Sequence, residues 1–121
     1  MLLLEDFTDP RELKLAISDS NTVVCAIGSP FHEVKERESK RSNYHIPVAI
    51  AQAIAESPTV QRAVFIGAAG ADPTSPSPLR RNKYYMEKEV RRILPWATIL
   101  RPTRMYDTYN NRSTWAGRFA L

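Results

Sequence analysis

The sequence predicts an α/β fold, a partial doubly wound parallel sheet of the Rossmann-like kind, and three observations carry that expectation. Apolar, β-rich runs at residues 22–27, 62–67 and 96–100 are separated by stretches of helical period. Each run is close to continuously apolar, the pattern of parallel strands covered on both faces rather than one. Single helices between successive strands imply right-handed crossovers, and therefore one parallel sheet.

Residues 1–5 form a short apolar run read as an opening strand. Asp9-Pro10 then starts a helix: Asp9 supplies a capping carboxylate, Pro10 suits the first helical position, and Glu12 adds negative charge to the first turn. Leu13, Ala16 and Ile17 share one face of it. The next strand runs from Thr22 to Ile27, closed by Gly28 and turned away by Ser29-Pro30. Residues 31–41 alternate charges without an apolar period and read as a surface loop or a helical turn. Asn43 is positioned to cap a second helix whose core stripe is Ile46, Ile50 and Ile54, with Pro47 tolerated only near its first turn. A third strand at 62–67 leads into a loop at 68–78 rich in Pro, Ser, Ala and Gly. A helix over about 79–94 turns Met86, Val90 and Ile93 inward, and Pro95 ends it before the strand at 96–100. The tail from Pro102 to Leu121 reads as aromatic and Asn-rich turns with a short helix near Trp115.

Bulk properties narrow the function classes. A chain of 121 residues with 43% hydrophobic and 25% charged residues fits one globular domain and is not a disordered composition. No apolar run approaches the roughly 20 residues that span a bilayer. Cys25 is the single cysteine, so internal disulfides and multi-cysteine metal sites are excluded, and with two histidines no metal ligand set is assigned. The net charge of +4 concentrates late: Arg80, Arg81, Lys83, Lys88, Arg91, Arg92, Arg101 and Arg104 face only Glu87 and Glu89. A solvated, salt-bridged helix face is the default reading, and contact with acidic protein or anionic lipid the sharper one. No nucleic-acid module is visible.

In open parallel sheets ligands bind outside the carboxyl ends of the strands. Topology alone therefore directs attention to Asp6, Gly28, the 67–78 loop, Lys83 and Pro102.

At those positions the residues resemble the extended and atypical short-chain dehydrogenase/reductases. Glu5-Asp6-Phe7-Thr8-Asp9 is similar to that superfamily's D-x-x-D turn, which implies adenosine contacts for Asp6 and Phe7. Ala26-Ile27-Gly28 resembles the small-residue strand end beneath the cofactor ribose, and Asn43 the asparagine that opens the following helix. Leu100-Arg101-Pro102-Thr103-Arg104-Met105-Tyr106 is similar to the L-R-P segment beside the nicotinamide, which implicates Pro102. Lys83 takes the place of the lysine that holds the nicotinamide ribose. Within the superfamily, residues 46–52, 79–83 and 87–92 resemble the Rossmann-fold accessory subunits of mitochondrial respiratory complex I. That likeness implies NADPH held as a structural ligand and a mitochondrial location on the matrix side of the inner membrane. It also implies other subunits of the quinone-binding module as partners.

Three departures bear on chemistry. Leu79 stands four residues before Lys83, where a dehydrogenase places its tyrosine, and it can neither donate nor accept a proton. Gly67 stands where the superfamily places a serine. None of the four glycines, Gly28, Gly67, Gly70 and Gly117, forms the Gly-rich phosphate turn that opens such folds. The expectation is a single partial domain over residues 1–121 without the first βαβ unit and without a catalytic residue, its tail from 102 a candidate interface. Its open sheet is expected to need covering by other polypeptide. Two competing readings are an active atypical reductase or epimerase with a relocated acid, and a module that senses NADP without converting it.

Overall fold

The computed structural model describes residues 4–29 and 35–103, together with the backbone of 106–107 and 112–113. Three parallel strands form the sheet in the order β1 (Thr22–Cys25), β2 (Arg62–Ile66) and β3 (Thr98–Leu100). Val24 pairs with Val64 and Val64 with Thr98; one step on, Cys25 pairs with Phe65 and Phe65 with Ile99. Helix α1 (Pro10–Ala16) leads into β1, helices α3 (Ile46–Glu56) and α4 (Pro78–Ile93) supply the crossovers, and a short α2 (Glu36–Lys40) runs through a π turn (Arg41–His45) into α3. Beyond β3 lies an antiparallel pair, β4 (Tyr106–Asp107) with β5 (Arg112–Ser113). The parallel α/β architecture follows the sequence expectation.

The start of α1 also follows it. Asp9 accepts a hydrogen bond from the Arg11 amide at 2.9 Å, and Pro10 opens the helix. Glu12 reaches further back, its carboxylate accepting the amides of Glu5 and Asp6 at 3.0 Å each. Leu13 is buried and Ile17 half-buried, but Ala16 is exposed, because the seven-residue helix ends as its face turns out. Residues 4 and 5 are not in a strand, and the rest of that expected element lies outside the described residues.

In α3 the stripe Ile46, Ile50 and Ile54 is buried as its spacing predicts, together with Ala51 and Ala53. Asn43 does not cap this helix. The helical path begins at Glu36, within the segment read as a surface loop or a helical turn, so Asn43 lies inside it and is wholly buried. Pro47 accounts for the local geometry. It has no amide to offer the Asn43 carbonyl, and its ring crowds that carbonyl. The backbone responds with one wide turn, in which the Ile46 amide bonds to the Arg41 carbonyl five residues back.

The core lies on one side of the sheet. Cys25, Ala63 and Phe65 point there and pack with Ile50, Ile54, Met86 and Val90, Phe65 being fully buried. Successive strand residues alternate sides, so Val24 and Leu100 face the other way, and they are 61% and 51% exposed. The expectation of strands covered on both faces is therefore corrected: within the described residues all the crossover helices cover one face. Trp96, which opens the run read as the last strand, precedes β3 and is half-exposed. The region around Trp115 lies outside the described residues.

Candidate functional site

A cavity of about 750 Å³ opens at the carboxyl ends of the three strands. Its wall is Ala26, Ile27, Gly28, Ile66, Lys83, Leu100, Arg101 and Pro102. Five expected site residues thus come together: Ala26, Ile27, Gly28, Lys83 and Pro102. Asp6 and Phe7 do not line it. Asp6 folds back on its own turn, its Oδ1 accepting the Thr8 amide at 2.8 Å and the Thr8 hydroxyl at 2.6 Å. These two bonds hold the Asp6 carboxyl below the usual carboxylate range, with a smaller contribution from the Arg41 guanidinium. Phe7 is exposed.

Lys83 is almost completely buried, and its ammonium joins two strand ends. Nζ donates to the Ile66 carbonyl at 2.8 Å and to the Ile27 carbonyl at 3.3 Å. Ile66 is the last residue of β2 and Ile27 lies two residues past the end of β1. An ammonium has three protons, so one remains for a ligand in the cavity. Burial lowers the Lys83 pKa to about 8, while the nearby Cys25 and Glu87 oppose that shift. Cys25 itself is a buried thiol whose pKa burial pushes up, the condition of an inert cysteine.

Gly28 is required by close approach. A Cβ there would stand 3.1 Å from the Asn43 side-chain oxygen and 3.4 Å from Lys83 Nζ. Asn43 anchors the neighbouring wall: its Nδ2 donates to Ser29 Oγ at 2.7 Å and to Ser39 Oγ at 3.0 Å, and its Oδ1 accepts the Ser29 amide at 3.3 Å. Asn82, on α4, donates to the same Ser39 hydroxyl at 3.1 Å. Strand end, π turn and α4 are thereby held by one buried polar network, whose satisfied members add rigidity.

The position of Gly67 carries a feature absent from the sequence reading. Glu87, one turn after Lys83 on α4, is 2% exposed, and its carboxylate fills the space beside Gly67. A Cβ on residue 67 would overlap a Glu87 oxygen, with the carboxyl carbon 3.1 Å away. Glu87 is held there by Arg101, whose Nε donates at 3.0 and 3.1 Å and whose Nη2 donates at 2.5 Å. The fork-to-carboxylate geometry raises the Arg101 pKa and fixes the L-R-P segment at the cavity rim. Leu79 is 2% exposed and is not part of the cavity wall. Among the described residues the wall contains no Tyr, Ser, His or carboxylate, and its titratable side chains are those of Lys83 and Arg101.

Four members of the late cluster of basic residues are paired or buried. Arg81 pairs with Glu36 at 2.7 Å, Arg92 pairs with Glu89, Arg101 pairs with Glu87, and Lys83 is buried. The salt-bridged reading of that stretch therefore describes it better than an open basic patch. Among the described residues no group of His, Cys, Asp and Glu is arranged to hold a metal, and no helix is long and apolar enough to cross a membrane.

Sequence reasoning missed Glu87, Ile66, Leu100 and Arg101 as cavity or support residues. The spacing of Glu87 four residues after Lys83 was available as a signal, because i and i+4 share a helix face. Its destination depended on the empty space at Gly67, which no local pattern reveals.

No protein-family model matches the chain. Among curated proteins it is 32% identical over 103 residues to NADH dehydrogenase [ubiquinone] 1 alpha subcomplex subunit 9, mitochondrial, of Arabidopsis thaliana, a match covering 83% of this chain and 25% of that protein. The Mus musculus protein of the same name is 32% identical over 115 residues, covering 95% of this chain and 29% of that protein. The Rattus norvegicus one is 34% identical over 107 residues, covering 88% and 28%. The chain therefore spans about a quarter of the length of these relatives. Among solved structures, the UDP-glucuronic acid 4-epimerase of Bacillus cereus in complex with NAD aligns with a TM-score of 0.70 at 17% identity, covering 84% of this chain and 38% of that one. The Bordetella bronchiseptica enzyme WbmG in complex with NAD aligns at 0.71 and 17%, covering 87% and 38%. At such identity the structures establish the fold alone, and they bear out the partial Rossmann-like expectation. In sequence, the chain is similar to the alpha subcomplex subunit 9 proteins of mitochondrial NADH dehydrogenase over about a quarter of their length, and it shares the α/β fold of the NAD-complexed structures that it matches.

Proposed function

We propose that this chain is a non-catalytic, structural accessory component of mitochondrial NADH:ubiquinone oxidoreductase, on the matrix side of the inner membrane and near the quinone-reducing region. The observation that carries this reading is the joint state of Lys83, Leu79 and Gly67 in a relative of the subunit 9 proteins. The lysine is kept as a buried tie between strand ends. Leucine replaces the tyrosine, and Glu87 occupies the space a serine would need. Among the described residues of the cavity wall there is no tyrosine or serine that would stand in for them.

The same cavity fits the ribose–nicotinamide end of NADPH held as a structural ligand. Ala26, Ile27 and Gly28 would lie beneath it, Pro102 beside it, and the spare Lys83 proton would donate to a ribose hydroxyl. Asp6 and Phe7, at the exposed Asp6–Thr8 turn, would meet the adenosine end. A bound dinucleotide is capable of hydride transfer, and the chain's own residues supply only binding and orientation. The competing reductase reading requires an acid within hydrogen-bond reach of the cavity; among the described wall residues only Lys83 has a proton near neutral pH, and its ammonium is engaged by the Ile27 and Ile66 carbonyls.

Native gel separation of solubilised mitochondrial membranes carrying the tagged chain tests the assignment. Co-migration with NADH:ubiquinone oxidoreductase activity, and acid-released NADPH that diminishes in Lys83→Ala, are the expected results. A chain recovered wholly as free monomer would overturn the accessory role. Carbonyl-dependent NADPH oxidation by the purified chain, lost in Lys83→Ala, would overturn the non-catalytic one.

A further inference from the structure

We propose that the hollow between the π turn and the Asp6–Thr8 turn is a binding site for a phosphate-bearing ligand, separate from the strand-end cavity. It measures about 560 Å³ and is lined by Thr8, Arg37, Glu38, Lys40, Arg41 and His45. Three of these side chains carry permanent positive charge and one is a carboxylate. Glu38 shares the lining with them, leaving an excess of two positive charges, and the other nearby acids are engaged or held off. Glu36 is bonded to Arg81 at 2.7 Å, and Asp6 approaches Arg41 only to 4.0 Å while its Oδ1 serves Thr8. Among the described residues no carboxylate pairs with Arg37 or Lys40.

The π turn makes this set a constructed one. Five residues advance an α-helix by about 140°, which would send His45 away from the face carrying Lys40. In an i→i+5 turn, residues five apart return near the same face, so Lys40, Arg41 and His45 gather on one wall. Turns of this kind are rare and concentrate at functional sites. Here the turn is held from behind by the buried Ser29–Asn43–Ser39 contacts and is imposed by Pro47. Clustered donors of fixed charge with few acceptors suit phosphate oxygens. A soluble phosphate ester and a lipid headgroup share that chemistry.

Titration of the full chain with inorganic pyrophosphate, and separately with phosphatidylcholine vesicles with and without phosphatidylglycerol, tests the proposal. Binding of pyrophosphate is expected if the natural ligand is soluble, and binding confined to phosphatidylglycerol vesicles if it is a headgroup; either supports the site. In both cases the exposed double variant Arg37→Gln/Lys40→Gln should weaken binding at least tenfold. The equally charged control Arg11→Gln/Lys14→Gln on α1 should leave it within twofold. Pro47→Ala, which removes the cause of the π turn without altering charge, should weaken binding at least threefold while helix content by circular dichroism is retained. Binding to neither probe would overturn the proposal. So would equal losses in the α1 control, or Pro47→Ala binding with unchanged affinity and a regular α-helix at 41–45.

Discussion

Gly67→Ser tests directly whether the Glu87 carboxylate excludes a side chain at position 67. Serine is the residue a dehydrogenase would carry there, and a side chain at 67 meets the Glu87 carboxylate head-on. Accommodation requires Glu87 to leave a site where it is 2% exposed and to give up its contacts with Arg101. Breaking a buried ion pair costs about 3–5 kcal/mol, and Arg101, with a half-exposed side chain, recovers part of that in water. The expected net loss is therefore about 2–3 kcal/mol, or roughly 8–12 °C in Tm for a domain of this size. Glu87→Ala should cost less, about 1–2 kcal/mol, because the guanidinium left behind is reachable by solvent. In the Glu87→Ala background the serine should cost under about 1 kcal/mol, its remaining close neighbour being Ile99 Cγ2 at 3.2 Å. Urea unfolding of the four proteins, followed by circular dichroism, gives the coupling directly. A value near 1.5 kcal/mol is expected; one below about 0.5 kcal/mol, the level of independent sites, would refute the steric exclusion.

Lys83 makes stability depend on alkaline pH. Its folded pKa of about 8 lies below the ordinary 10.5, so below pH 8 both states are charged and the full cost of burying the ammonium is present. Between pH 8 and 10.5 the unfolded chain binds more protons, and stability rises with pH by up to about 3 kcal/mol. Chemical denaturation of Lys83→Met across that range should show this rise abolished relative to the unsubstituted chain; a rise of equal size in both would assign it elsewhere. Asn43→Ala removes the shared partner of Ser29 and Ser39 and should cost about 2–4 kcal/mol, whereas Asn21→Ala, at an exposed site, should lower the unfolding midpoint little; similar losses at the two positions would contradict the buried network.

The parallel α/β class, the three strands and the helices around Ile50 and Val90 were legible because hydrophobic period is a local property of a chain. That Leu79 carries no titratable proton was legible as well, since a leucine has none wherever it is placed. Five of the seven expected site residues meet at one cavity for a topological reason: parallel strands bring their carboxyl ends to a common edge. What the residues do to one another depended on tertiary packing. Asn43 reads locally as a cap, yet the wide turn forced by Pro47 carries it into the interior, where it ties three elements together. Gly67 reads as a missing hydroxyl, and only the fold shows that Glu87, twenty residues on, has taken its place. The expected two-sided cover of the sheet failed for a related reason. Apolar strand residues report that a face can be buried, but whether a layer lies against Val24 and Leu100 depends on chain that packs from elsewhere.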